Sequence, residues 1–269
     1  MRYQHELSIA KKAALSAAEI IREFATSENF NIALKGKNDL VTDADLASEK
    51  AILSIINEVF PDDEILAEET SSKRSLPDGR VWIIDPIDGT TNFAHGFPVY
   101  CVSIALWDKH TPKVGLVLEV ANSELFYATE EGGAFRNEQP ITVSQNQDPS
   151  QSLIGTGFPY NNLDLVDNYL KLFRMLMDET HGVRRPGSAA WDLCNMACGR
   201  FEGFYEYGLS PWDVAAGALI IREAGGIVTD WNGGNNWLFG QRIVAGNAAI
   251  HSFLKEKIAL SFGKEQRSV

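Results

Sequence analysis

The order of apolar and polar positions divides the chain into helix-like and strand-like stretches. Leu7, Ala10, Ala14, Ala17, Ile21 and Phe24 recur at three-four spacing and predict an amphipathic helix. Leu46, Ile52, Ile55, Ile56 and Val59 predict a second, ending before Pro61. The short apolar run Val81-Trp82-Ile83-Ile84 reads as a buried strand. From Val99 to Thr129 the chain is rich in β-formers, with breaks near His110-Thr111-Pro112 and Ala121-Asn122-Ser123, and predicts successive antiparallel strands.

A polar, turn-rich stretch from Ser144 to Ser152 marks a boundary between two lobes of one unit, roughly 1–150 and 151–269. Beyond it the pattern alternates. A strand is predicted at Leu153 to Thr156, a helix over Leu163 to Glu179 and a strand before Arg184. A helix from about Ala189, a strand from Gly203 to Tyr207 and a helix from Trp212 to Ala224 follow, the last stopped by Gly225-Gly226. A strand at Ile227 to Thr229 comes next, and Trp231 to Phe239 reads as a loop with aromatic anchors. The fold class is α+β, with sheets in both lobes.

Composition narrows the function classes. Hydrophobic residues at 45% and charged residues at 22% are those of a globular chain. No apolar run reaches the roughly 18 residues of a membrane span, and the start lacks a signal-peptide core, so a cytoplasmic protein with no membrane partner is expected. Cys101, Cys194 and Cys198 form no disulfide framework; Cys194 and Cys198 share a helix face and read as small buried residues. The net charge of −12 argues against nucleic acid as the main partner. It also opposes an anionic substrate unless cations are held locally, and acidic residues do recur in clusters suited to that.

The segment Trp82-Ile83-Ile84-Asp85-Pro86-Ile87-Asp88-Gly89-Thr90-Thr91-Asn92-Phe93 carries the most chemistry. A buried strand delivers Asp85, proline restricts the turn, and Asp88 follows three residues on, so both carboxylates can converge. Gly89-Thr90-Thr91 then opens a helix whose unpaired N–H groups suit a phosphate. Carboxylates beside an anion site make sense with metal ions between them, and oxygen-only ligation favours magnesium over zinc. The structural alternative is an Asp-Pro turn with Asp88 as a helix cap. Glu68 or Glu69, Asp213 in Pro211-Trp212-Asp213, and Asp43 or Asp45 are further candidates; spacing alone does not choose within the pairs. For Asp45 and Asp213 the plain role is charge compensation at a helix start.

Asp85-Pro-Ile-Asp-Gly-Thr-Thr-Asn-Phe93 and Trp212-Asp-Val-Ala-Ala-Gly-Ala-Leu-Ile-Ile-Arg-Glu-Ala-Gly-Gly226 closely resemble the two signature motifs of the inositol monophosphatase family. Leu40-Val-Thr-Asp-Ala-Asp45 and Glu68-Glu69 are similar to two further family elements, in the expected order. The resemblance runs from the first helix to about Gly246. It implies a layered αβαβα sandwich, usually a homodimer, that hydrolyses a small polyol phosphate such as inositol monophosphate with two or three Mg2+ ions. One metal would be held by Glu68, Asp85 and the Ile87 carbonyl, a second by Asp85, Asp88 and Asp213, and a weaker third near Glu68. Gly89 and Thr90 N–H groups would face the phosphate, and Thr90 with Asp45 would orient the attacking water. Gly187-Ser188-Ala189 resembles the sugar-facing loop, and Glu206 the carboxylate that accepts from substrate hydroxyls. By itself Glu206 reads as an exposed strand-end charge.

Three rivals share parts of this pattern. An apolar strand followed by Asp and Asp-Gly-Thr is also similar to the haloacid dehalogenase phosphatases, but there one residue separates the aspartates, and here Pro86 and Ile87 do. Family relatives act on fructose bisphosphate, histidinol phosphate or nucleotide 3′-phosphates; Thr91-Asn92-Phe93 resembles the inositol branch, whereas the nucleotide branch usually carries Lys-Glu-Phe. Some bacterial members also bind the transcription machinery. Arg184-Arg185 reads as a solvated pair, and His5, His95, His110, His181 and His251 as surface or loop residues without metal spacing.

Overall fold

The computed structural model describes residues 2–27, 31–36, 39–71 and 75–267. It opens with helix α1 (Gln4–Thr26), the hairpin β1 (Ile32–Gly36) and β2 (Asp39–Thr42), and helix α2 (Asp43–Val59). Strands β3 (Glu64–Ala67) and β4 (Arg80–Asp88), the short helix α3 (Thr90–Ala94), and strands β5 (Cys101–Asp108), β6 (Thr111–Glu119), β7 (Glu124–Thr129), β8 (Ala134–Arg136) and β9 (Gln139–Ile141) follow. They form one sheet in simple order from β3 to β9, parallel between β3 and β4 and antiparallel thereafter.

The second half supplies β10 (Leu153–Thr156), α4 (Val166–Glu179), β11 (Gly182–Arg184), α5 (Ala189–Ala197), β12 (Gly203–Tyr207), α6 (Pro211–Glu223), β13 (Ile227–Thr229), β14 (Arg242–Gly246), α7 (Ala248–Ser261) and α8 (Lys264–Arg267). Its sheet runs β11-β10-β12-β14-β13. Helices α5 and α6 contact strands of both sheets; α1 and α2 cover the outer face of the first sheet, and α4 and α7 that of the second. The result is the expected α+β sandwich, helix-sheet-helix-sheet-helix.

Strand alternation explains the layering. Along β4, Val81 and Ile83 pack towards α5 and α6, whereas Trp82, Ile84 and Ile87 pack against α1 and α2. Both faces of this sheet are therefore dry, which is why β4 and β5 read as continuous apolar runs. Alanines at 10, 13, 14, 17 and 18 of α1 are fully buried, and their small size lets α1 pack closely on α2 and the sheet.

Several details depart from the periodicity reading. Strand β4 continues past Asp85 to Asp88, with a register shift between the two against β5. The first break falls at Lys109 and His110, both in the left-handed region, and Thr111-Pro112 already belongs to β6. Strands β8, β9 and β14 and helix α7 have no counterpart in that reading. His251 is not a surface residue: it is 5% exposed on α7, with Nε2 2.9 Å from Thr229 Oγ1. Burial lowers its pKa to about 4. Cys101 and Cys194 are buried and free, and Cys198, partly buried, caps α5; burial pushes all three thiols up and away from reactivity.

Candidate active site

The site forms where the end of β4 meets the starts of α2, α3, α5 and α6. Asp85 lies on the same strand face as Val81 and Ile83 and so points to the inter-sheet layer, where α6 begins. Pro86 has no N–H to give the ladder, the register shifts, and the Ile87 N–H turns to Asp85 Oδ1 at 3.0 Å. That irregularity brings Asp88 back to the same side. At Gly89 the chain turns with φ +101°, and a Cβ there would stand 2.9 Å from the Val99 carbonyl oxygen, so glycine is required.

Asp213 is the third residue of α6, and its carboxylate accepts from the Ser210 N–H at 2.7 Å. The capping role and the site role thus coexist in one side chain. Asp85, Asp88 and Asp213 each offer an oxygen within 4.8 Å of the others. Glu68, whose own N–H donates to the Ile84 carbonyl at 3.1 Å, reaches Asp85 from the end of β3.

The electrostatics are those of a site built for cations. Burial, then Glu68, Asp88 and Asp213, hold the Asp85 carboxyl well above the usual range. Burial lifts Asp88 to about 6 although Ser188 and the Ala190 and Ala189 N–H groups favour its anion. Burial followed by Asp88 and Glu68 raises Asp213. Among the described residues no Lys or Arg forms an ion pair with Asp85, Asp88 or Asp213. Packed buried carboxylates are unfavourable without a positive partner. A donor set made only of oxygens fits a hard divalent cation.

The neighbouring residues fix this cluster. Asp45, fully buried, accepts from the Thr42 N–H at 2.8 Å and the Thr42 hydroxyl at 2.5 Å as part of a capping box on α2. Thr90 Oγ1 lies 3.0 Å from Asp45 Oδ1 and 2.9 Å from the Ile87 carbonyl, joining α2, β4 and α3. Ser188 Oγ and the Ala190 N–H donate to Asp88 Oδ2 at 2.7 and 2.5 Å, so Asp88 caps the start of α5. Gly187, Ser188 and Ala189 thereby sit against the cluster. Glu206, on β12, is pushed up to about 8 by burial and by Asp213, against the pull of Arg185. It abuts Gly157, where a Cβ would lie 1.8 Å from its Oε1.

A cleft of about 510 Å³ opens here, lined by Glu68, Gly89, Thr90, Asn92, Arg185 and Gly187 among others. Arg184 and Arg185 are both exposed, as expected of a solvated pair, and Arg185 lies over the Tyr160 ring at 5.2 Å on the rim of the cleft. Periodicity and motif overlooked Asn92, which donates to Val99 and Pro186 carbonyls and ties α3 to the 186–188 loop. It overlooked Glu49, whose carboxylate accepts from the Glu69 N–H at 2.9 Å. The signal for Glu49 was present: Asp45, Ser48 and Glu49 lie on the same buried stripe as Ile52 and Ile56. Asp192, 1% exposed and near Glu206 and Asp88, had no such signal.

The all-oxygen acidic cluster at the seam of this sandwich could hold a divalent cation. A sequence model of the inositol monophosphatase family matches residues 2–267. Inositol-1-monophosphatase of Synechocystis sp. is 45% identical, over 94% of this chain and 88% of its own. Nus factor SuhB of Pseudomonas aeruginosa is 41% identical, over 91% and 92%. The crystal structure of extragenic suppressor protein suhB from Bartonella henselae superposes with a TM-score of 0.90 at 37% identity, over 95% of this chain and 99% of that one. The chain belongs to the inositol monophosphatase family.

Proposed function

We propose that the protein hydrolyses a small polyol phosphate, with inositol monophosphate as the substrate, by direct attack of water and with two or three Mg2+ ions. The supporting observation is the convergence of Asp85, Asp88 and Asp213, from two distant parts of the chain, beside the Asp45–Thr90 hydrogen bond. Glu68, Asp85, the Ile87 carbonyl, Asp88 and Asp213 hold the metals in this reading. When bound, such ions neutralise phosphate charge and make water a better nucleophile at neutral pH.

The chain's own residues do the rest. Thr90, held between Asp45 and the Ile87 carbonyl, orients the attacking water, and Asp45 is the anion towards which the proton is drawn. Gly89 and Thr90 N–H groups receive the phosphate. Gly187, Ser188 and Ala189 flank the sugar, and Glu206 accepts from its hydroxyls. We assign the protein to the cytoplasm and to a homodimer; among the described residues no helix is long and apolar enough to cross a membrane.

The test is phosphate release from inositol-1-phosphate, fructose-1,6-bisphosphate and adenosine 3′,5′-bisphosphate, with and without magnesium, by wild type and Asp85→Asn. Magnesium-dependent release from inositol-1-phosphate, lost in the variant, supports site and substrate together. Turnover of another substrate alone keeps the site and refutes the specificity. A second, protein-binding role in transcription is motivated by the 41% identity to a relative named a Nus factor. Purified RNA polymerase and Nus factors that bind Asp85→Asn as well as wild type would separate that role from catalysis; no binding to either would refute it.

A further inference from the structure

The phosphate-facing and polyol-facing parts of the acidic cleft are separate pieces of chain, tied together by the side chains of Asp88 and Asn92. Asn92, 9% exposed, is the third residue of α3 and lines the cleft with Gly89, Thr90 and Gly187. Its Nδ2 donates to the Val99 carbonyl at 2.8 Å and to the Pro186 carbonyl at 2.9 Å. Both partners are acceptors, so only the amide NH2 fits there; a carboxylate would have no proton to give.

Each bond braces a junction. The Val99 carbonyl oxygen is the atom a Cβ on Gly89 would strike at 2.9 Å, so the first bond steadies the turn that faces the phosphate. Pro186 immediately precedes Gly187, so the second steadies the start of the 187–189 loop. Gly187 has φ +97°, and a Cβ on it would stand 3.1 Å from Asn92 Nδ2, so glycine leaves room for the amide. Farther along the loop, Asp88 takes the Ser188 hydroxyl and the Ala190 N–H. Asn92 therefore holds the end of the loop that those Asp88 bonds do not reach. Nothing in α3 itself calls for this residue: asparagine is a poor helix former, and the two acceptors lie 7 and 94 residues away, outside the helix.

We propose that Asn92 is a positioning residue that determines specificity: it sets the distance between the Gly89-Thr90 turn and the 187–189 loop, and so selects phosphates that carry a polyol over those that do not. This rests on the reading of 187–189 as the polyol-facing loop. Neither of the two bonds goes to Asp85, Asp88, Asp213 or the Asp45–Thr90 pair, so losing them is felt in polyol binding and not in the chemical step. The Asp88 anchor remains, which makes the loss graded and not complete.

The test compares inositol-1-phosphate with phenyl phosphate, a monoester without polyol hydroxyls, on wild type, Asn92→Leu and Asn92→Ser. Leucine keeps the volume without the donors, and serine is too short to span both carbonyls. The ratio of kcat/KM for the inositol ester to that for phenyl phosphate should fall at least about tenfold in both variants, carried by KM for the inositol ester. Hydrogen exchange of the 185–190 segment should quicken alongside. A merely structural role would lower the melting temperature and damage both substrates alike; an unchanged ratio overturns the proposal. So does a loss confined to kcat, or unchanged exchange in 185–190. Where circular dichroism shows Asn92→Leu unfolded, Asn92→Ser decides. A wild type indifferent to the polyol refutes the reading of the loop and the selectivity with it. A wild type that prefers the inositol ester, beside variants that keep the preference, refutes the role of Asn92 alone.

Discussion

Gly157→Ala tests the substrate pocket by displacing Glu206 without substituting any residue assigned to it. The added Cβ would stand 1.8 Å from Glu206 Oε1 and 2.1 Å from its Cδ. Ordinary contact begins near 3.5 Å, so the carboxylate must move by roughly 1.5 Å or more. The Gly157 φ lies outside the left-handed region, and the obstacle is the far end of a flexible side chain, so the backbone tolerates alanine. Above about pH 8, where the Glu206 carboxyl is ionised, its hydrogen bond with a substrate hydroxyl contributes about 1.5–3 kcal/mol. Losing it lowers kcat/KM for inositol-1-phosphate by roughly 10- to 150-fold. The assay is steady-state phosphate release alongside a magnesium titration, thermal melting and the Glu206→Gln variant. Gly157→Ala should imitate Glu206→Gln, with magnesium dependence unchanged. A Gly157→Ala enzyme with wild-type kcat/KM, beside a damaged Glu206→Gln, would refute the argument that Glu206 acts from the position it holds against Gly157.

Thr90→Val keeps the shape but removes the hydroxyl between Asp45 and Ile87; kcat should fall by at least about 10²-fold with little change in melting temperature, and a fall below tenfold would exclude Thr90 from the proton path. Magnesium should raise the melting temperature of wild type in a concentration-dependent way and leave Asp85→Asn nearly unmoved, as thermal melting across a magnesium series would show. His251 is held neutral, its pKa lowered from 6.5 to about 4, so the unfolded chain takes up the proton first. Its contribution is therefore intact above pH 6.5 and lost as pH falls towards 4. The shift corresponds to about 3 kcal/mol, discounted to roughly 1–2 for the solvent access the ring retains. His251→Gln should flatten that slope in urea melts between pH 7 and 4.5, and an unchanged slope would show that other groups carry it.

Periodicity and motif found the elements that carry the metal-ligand candidates because those elements are long or locally encoded. Helices α1, α2 and α4 have apolar stripes of several turns, α6 is a long apolar run stopped by Gly225-Gly226, and β4 is an unbroken apolar run ended by Asp-Pro. They did not find β8 and β9, three residues each, or β14, which enters its sheet between β12 and β13. Three-residue strands contain too few positions for a period to emerge, and their pairing partners are supplied by the rest of the fold. Helix α7 hid because its buried residues are spread among polar ones on a weakly amphipathic surface.

By itself the sequence determined an α+β chain, an acidic strand end poised at a helix start, and charge-compensating aspartates at the starts of α2 and α6, since each depends on neighbours within a few positions. Even the choice of Glu68 over Glu69 and Asp45 over Asp43 came from the family likeness and not from spacing. Only the tertiary structure decided which carboxylates meet. Asp85 and Asp213 lie far apart in the chain, and they converge because Val81, Ile83 and Asp85 of β4 share the face towards the layer in which α6 begins. It likewise set Asp88 under the Ser188 hydroxyl and Glu206 against Gly157. These are contacts between separate layers, and a local pattern records which way a side chain faces but not what the fold brings opposite it.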